Sequence, residues 1–164
     1  MDKLWAPWRS RFIYQKDRKS CIFCHHPRKK QDAKHLIITR RPKAFALLNL
    51  YPYNNGHLMV APYRHARDLG SLTPSEVQGL FMLVRECETL LRRRLRPDGV
   101  NIGINLGRTA GAGFRHHIHV HLVPRWEGDT NYMPIVAGTK VISESLEEMY
   151  RRLTGAHHRP TRRN

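Results

Sequence analysis

Residues 117 to 123 read His-Ile-His-Val-His-Leu-Val, three histidines at alternate positions with an aliphatic residue after each. Side chains alternate faces along a strand, so His117, His119 and His121 are expected on one face and Ile118, Val120 and Leu122 on the other. A rise of about 3.3 Å per residue spaces neighbouring imidazoles by roughly 6–7 Å, so three rings can divide labour around one substrate. A nucleophile, a phosphate contact and a structural ligand could stand side by side. A single strand histidine is ordinarily a satisfied polar residue. Three in a row are costly without partners, because each must place a ring donor and a ring acceptor. A His-x-His metal chelate competes with this reading, since neutral imidazole is a common transition-metal ligand. A hydrolytic metal site would also draw on carboxylates, but none lies close in sequence and the chain has only 13 acidic residues.

The chemistry outside this segment is sparse. Cys21 and Cys24 form a Cys-x-x-Cys pair, open to three readings: a metal pair, a redox dithiol and coincidence. His25 and His26 follow it directly and are possible ligands. An odd count of three cysteines suits a metal pair plus one buried thiol, Cys87, better than a disulfide framework. No apolar run approaches the roughly 20 residues of a membrane span, and the N-terminus lacks a signal-peptide stretch. A soluble, cytoplasmic protein is therefore expected. The net charge of +16 points to an anionic partner, either a polyphosphate nucleotide or nucleic acid. Much of that charge sits in terminal and surface runs, and Arg92, Arg93, Arg94 and Arg96 close a helix whose dipole they complement. The charge alone does not require a nucleic-acid site.

The elements that must position the histidines are legible along 164 residues, enough for one domain with a proper core. Residues 36–39, 44–48, 58–61, 100–106 and 117–123 are predicted as strands. Thr73-Pro74-Ser75-Glu76 is a helix start with an N-cap, a first-position proline and a capping box. Val77, Leu80, Phe81, Val84, Cys87, Leu91 and Leu95 then recur at helical spacing until Pro97 and Gly99. A second helix is expected from just after Ser143 to about Leu153. Residues 1–153 are read as a single domain and 154–164 as a basic, disordered tail. Trp5, Pro7 and Trp8 make the N-terminus too aromatic for a free tail, so it is expected to pack on the body or a partner subunit. Strands outnumber helices and are joined by short connections, which favours an α+β fold with an antiparallel sheet.

The histidine string, the tract Ala44–Pro62 (AFALLNLYPYNNGHLMVAP) and Asn101–Gly107 (NIGINLG) together resemble the histidine triad superfamily of nucleotidyl hydrolases and transferases. The likeness covers roughly residues 20–135. LNLYPYNNGHLMVAPYR, INLG and HLVPRW are most similar to the bacterial diadenosine tetraphosphate phosphorylases, near the fragile-histidine-triad hydrolases. The resemblance implies a five-stranded antiparallel sheet with one long helix and a C-terminal helix, commonly as a two-fold homodimer with a continuous sheet. It implies an adenine dinucleotide or mononucleotide as substrate, water or inorganic phosphate as acceptor, and no organic cofactor. By matching position, His119 is the nucleophile that becomes nucleotidylated, and His121 and His57 contact phosphate oxygens or assist the leaving group. Asn49 matches a ribose-binding position and Asn105 a polar position near the phosphates; alone, Asn49 could cap a turn and His57 could be an ordinary strand residue. Trp126, just past the triad, is expected to line a pocket or pack an interface.

Two departures separate the branches. Fragile-histidine-triad hydrolases usually carry Gln four residues before the first triad histidine, where this chain has Gly113. The loop from Asn105 to His117 is also one residue longer than in phosphoramidate hydrolases. A roomier, amide-lined loop could admit inorganic phosphate. His121 in place of Gln argues against a hexose-phosphate uridylyltransferase. Many bacterial members also hold zinc on a Cys-x-x-Cys pair, a later histidine and the first triad histidine, positions occupied here by Cys21, Cys24, His65 and His117. Two thiolates and two imidazoles would make a closed, structural zinc site. Alternatives are an adenosine phosphoramidate hydrolase of the same fold and a non-catalytic basic module that binds nucleotide or nucleic acid.

Overall fold

The computed structural model describes residues 21–107, 109–111, 116–129 and 142–155. The expectations for the N-terminal tryptophans, for Gly113 and for the tail beyond residue 155 fall outside these residues. The chain begins with a single helical turn, α1 (Ile22–His25), and a 3-10 turn at His26–Lys29. Strands β1 (Ile37–Arg40), β2 (Ala44–Leu48) and β3 (Leu58–Pro62) follow, then the long helix α2 (Pro74–Leu95). Strands β4 (Gly99–Ile104) and β5 (Val120–Arg125) and the short helix α3 (Leu146–Thr154) complete the order. All pairings are antiparallel, in the spatial order β1-β2-β3-β5-β4. This is the expected α+β architecture. No helix among the described residues is long and apolar enough to cross a membrane.

Helix α2 starts where its sequence says it should. The Thr73 hydroxyl accepts from the Glu76 amide, Glu76 reaches back to the Thr73 N–H, and Pro74 opens the first turn. Arg64 grips the same carboxylate at 2.7 Å, so its guanidinium holds Glu76 down to about 2. Arg96, in the left-handed conformation, caps the far end. The buried face of α2 carries Leu80, Leu83, Val84, Cys87, Leu91 and Leu95. It packs with Met149 and Leu153 of α3 onto Ala44, Ala46, Leu48, Leu58, Val60, Val120 and Leu122 of the sheet. Cys87 is buried, and burial pushes its thiol up to about 12, as suits an inert core cysteine.

The opposite face of the sheet is covered as well. Phe45, Leu47, Met59 and Ala61 pack there with Ile37 and with Phe23 of α1. β2 and β3 are therefore buried on both faces, and the N-terminal turn is part of the core. The last strand is shorter than its alternating pattern suggests, beginning at Val120 instead of His117. Its pairing with β3 and β4 runs out at Val120, and the Ile118 N–H donates instead to the Ala66 carbonyl at 2.7 Å. The same cause ends β4 at Ile104, two residues before the expected Leu106.

The loop from Asn49 to Gly56 is pinned from below. Asn54, buried to 6% exposure, donates to the Pro124 carbonyl at 2.9 Å and to Asp129 at 2.7 Å, and Arg125 grips the same carboxylate. Gly56 turns the chain into β3 at φ +73°, and a Cβ there would overlap Leu95 Cδ1 and meet Pro124 Cγ at 3.3 Å. Gly56→Ala is expected to lower stability by about 1–3 kcal/mol through strain and overpacking. A urea midpoint unchanged from the parent would contradict this account of the turn.

Candidate active site

Strands β3 and β5 bring the polar groups together. His57 immediately precedes β3, and Met59 pairs with His121, so His57 and His121 stand beside each other at one end of that pairing. His57 Nε2 lies 2.9 Å from His121 Nδ1. The Tyr53 backbone N–H donates to His57 Nδ1 at 3.0 Å, which fixes that nitrogen as the acceptor. The proton is then on His57 Nε2 and is donated to His121 Nδ1, which leaves the His121 Nε2–H as an outward donor. Burial and the neighbouring His121 and His119 rings push His57 down to about 3, and burial pushes His121 down to about 4. Both rings are neutral near pH 7, as the relay requires.

His119 is held from the other side. Its Nδ1–H donates to the His117 carbonyl at 2.8 Å, so Nε2 keeps its lone pair. The ring is 4% exposed, stands 4.8 Å from His121 centroid to centroid, and has its pKa lowered by burial. Phe23, fully buried, stacks on it at 4.7 Å and 27°. An unprotonated imidazole nitrogen beside an outward N–H donor can attack an electrophilic centre while its neighbour holds the oxygen that gains charge.

His117 faces a different partner. Its Nε2–H donates to the Pro62 carbonyl at 2.9 Å, and its Nδ1 points at Cys21 Sγ and Cys24 Sγ, 3.4 and 3.5 Å away. His65 Nδ1 is 3.3 Å from Cys24 Sγ, and the ligand atoms of these four residues all lie within 4.8 Å of one another. A tetrahedral shell with bonds of about 2.3 Å to sulfur and about 2.0–2.1 Å to nitrogen has S···N edges of about 3.5 Å. The donor set and the spacing therefore fit a metal ion, with the backbone carbonyl orienting His117 from behind. His25 and His26 stay out of this cluster; their rings meet His35 instead.

The remaining expected residues divide. Asn49 Oδ1 accepts from the Tyr51 N–H at 3.0 Å, and Asn49 Nδ2 lies 3.3 Å from His57 Nδ1, so the side chain both caps the turn and joins the histidine group. Asn105 directly follows Ile104, the partner of Val120, which sets it beside the chain at His119. Trp126 lines a cavity of about 430 Å³ with Asn54, Asp129 and Met149 and packs against the helix-side core. It lies five residues beyond His121, roughly 16 Å along an extended chain. Sequence reasoning missed Phe23 and Tyr53. Tyr53 supplies the amide that orients His57 and stacks on that ring at 4.8 Å. The only hints were their places, between the two cysteines and four residues before a histidine.

Comparison with known proteins identifies the chain's relatives. Residues 29–128 match the HIT domain family. The chain is 37% identical over 161 residues to a protein of Mycobacterium tuberculosis (strain CDC 1551 / Oshkosh) named AP-4-A phosphorylase, covering 93% of this chain and 83% of that one. It is 37% identical over 93 residues to the asymmetrical bis(5'-nucleosyl)-tetraphosphatase of Schizosaccharomyces pombe, 57% of this chain and 50% of that protein. A zinc-bound histidine triad family protein from Mycobacterium smegmatis has a similar structure, with a TM-score of 0.68 and 30% identity over 84% of this chain and 92% of that one. The protein belongs to the HIT domain family, whose histidine triad is here His117, His119 and His121.

Proposed function

We propose that this protein cleaves dinucleoside polyphosphates, diadenosine tetraphosphate first among them, by phosphorolysis through a nucleotidyl-histidine formed on His119. The observation that carries the reading is the fixed tautomer of His119, whose Nδ1–H is committed to a carbonyl and whose Nε2 is left as a nucleophile. In the first step Nε2 attacks an α-phosphorus, a P–N bond forms, and the bridging P–O bond breaks to release ATP. The positive charge on the nucleotidylated ring is met by the His117 carbonyl at Nδ1. The His121 Nε2–H, oriented by His57, donates to the phosphoryl oxygens. In the second step an oxygen of inorganic phosphate attacks the same phosphorus, the P–N bond breaks, and ADP leaves.

Asn49 and Asn105 are assigned to the ribose and the phosphates by the family likeness, and Gly113 to the room left for the acceptor. The name of the Mycobacterium tuberculosis relative supports phosphorolysis over hydrolysis. A zinc ion on Cys21, Cys24, His65 and His117 would be structural, since four protein ligands leave no open position. When bound it ties α1 to the segment before β5 and so holds Phe23 against His119. Two copies are expected to join along the β4 edge, where Ile102 is 48% exposed and the strand has no outer partner among the described residues.

Three measurements check this. Incubation with diadenosine tetraphosphate is expected to give ADP plus ATP only when inorganic phosphate is present, with turnover falling at least about a thousandfold in His119→Ala. AMP plus ATP without regard to phosphate would make the protein a hydrolase, and normal turnover by the variant would remove His119 from the chemistry. Elemental analysis is expected to find one zinc per chain, absent in Cys24→Ser, with a lower melting temperature and a smaller loss of turnover than His119→Ala. Zinc-free parent protein from a chelator-free preparation would contradict the metal assignment. Light scattering should give twice the chain mass, and a monomer at all concentrations would rule out the β4 pairing.

A further inference from the structure

A groove of about 590 Å³ runs along α2 on the helix side of the sheet, away from the histidines, between that helix, the end of α3 and the β1–β2 connection. Arg41, Arg85, Arg93 and Arg94 stand around it over a floor that includes Ile38 and Leu90. Arg41 pairs with Glu86 at 2.8 Å. Arg85, Arg93 and Arg94 make no ion pair or side-chain hydrogen bond among the described residues. The chain has little left to neutralise them, for of its 13 acidic residues only Asp2 and Asp17 lie outside the described residues.

The helix dipole accounts for part of this charge. Arg93 and Arg94 lie in the last turn of α2, where cations are favoured. It does not account for Arg85, ten residues before the helix end; Arg41, from another element, is met by Glu86, which also lines the groove, so Arg85, Arg93 and Arg94 are the unpaired cations there among the described residues. Glu86 offsets only Arg41, so the three remaining guanidinium groups repel each other and a bound anion would relieve that repulsion. Arg85 and Arg93 are eight residues apart, so the charged row extends about 12 Å along the helix axis. No aromatic side chain lines the groove among the described residues, so a base could not be read by stacking on a ring. An extended polyanion held through its phosphates fits better than a compact ligand fixed at one point.

We propose that this groove binds the backbone of a single-stranded nucleic acid, without sequence preference, as a second function independent of the histidine chemistry. The groove's surplus of arginine over Glu86 complements a polyanion, and the chain's net charge of +16 favours its approach to the protein.

Fluorescence anisotropy with a labelled oligouridylate of about 12 nucleotides, over a salt series, tests this. The parent is expected to bind, with affinity falling as salt rises. The triple variant Arg85→Ala, Arg93→Ala, Arg94→Ala should bind at least about tenfold more weakly at low salt, its salt slope reduced by about 2 from a loss of about 0.7 per phosphate contact. A control variant, Lys29→Ala, Lys30→Ala, Lys34→Ala, removes the same charge from an exposed segment elsewhere and should change binding little. His119→Ala should bind as the parent does. Absence of binding by the parent would overturn the proposal, as would equal losses in the two triple variants. A DNA duplex of the same length bound as tightly would overturn the single-strand assignment.

Discussion

The pairing of β3 with β5 is the constraint on which the rest depends. Two antiparallel strands place the start of one beside the end of the other. His57, just before β3, therefore meets His121, while the Pro62 carbonyl at the end of β3 meets His117. One register, Met59 against His121, thus sets both the histidine relay and the metal cluster. A slip of one residue would turn His121 toward the helix side and Leu122 outward, which is prohibitive with Val120 and Leu122 fully buried. The apolar core of the helix side therefore fixes the chemistry of the other side.

Neutrality does the remaining positioning. A buried imidazole without a counter-ion is favoured in its neutral form, with one donor and one acceptor. Backbone groups then decide which nitrogen is which: the Tyr53 amide for His57, the His117 carbonyl for His119, the Pro62 carbonyl for His117. The three triad histidines acquire three different roles because a different group stands behind each: the Pro62 carbonyl behind His117, the His117 carbonyl behind His119, and the His57 ring behind His121. The loop that carries Asn49 and Tyr53 can supply its amide only because Asn54 locks it to β5 and Asp129.

Much of this was legible in the sequence, for identifiable reasons. The capping box of α2 is found as read, and the 3.6-residue period gives Leu80, Val84, Cys87, Leu91 and Leu95 as buried, but the buried stripe runs through Leu83 and leaves Phe81 44% exposed. The five strands and their antiparallel pairing were also legible, as was the meeting of Cys21, Cys24, His65 and His117, which rested on family likeness. What alternation could not show is where a ladder stops. His117, Ile118 and His119 carry a strand pattern, yet lie outside the strand because Ile118 bonds to Ala66, a partner distant in sequence. Phe23 was hidden for a similar reason. A phenylalanine between two cysteines has no period to mark it, and only the folding of α1 over the sheet sets it against His119. Trp126 is read as lining a pocket or packing an interface; it does line a cavity, beside Asn54 and Met149, a placement that strand alternation alone does not specify.

The central claim is that His119 Nε2 forms a covalent bond to the nucleotide. Rapid quenching into alkali during turnover of diadenosine tetraphosphate, followed by peptide mass spectrometry, tests it most directly, because a phosphoramidate on histidine survives alkali better than acid. The account predicts an adenylate adduct, formed before steady state, on the peptide containing His119 and on no other ring. Turnover with no adduct, or an adduct on His57 or His121, would contradict it.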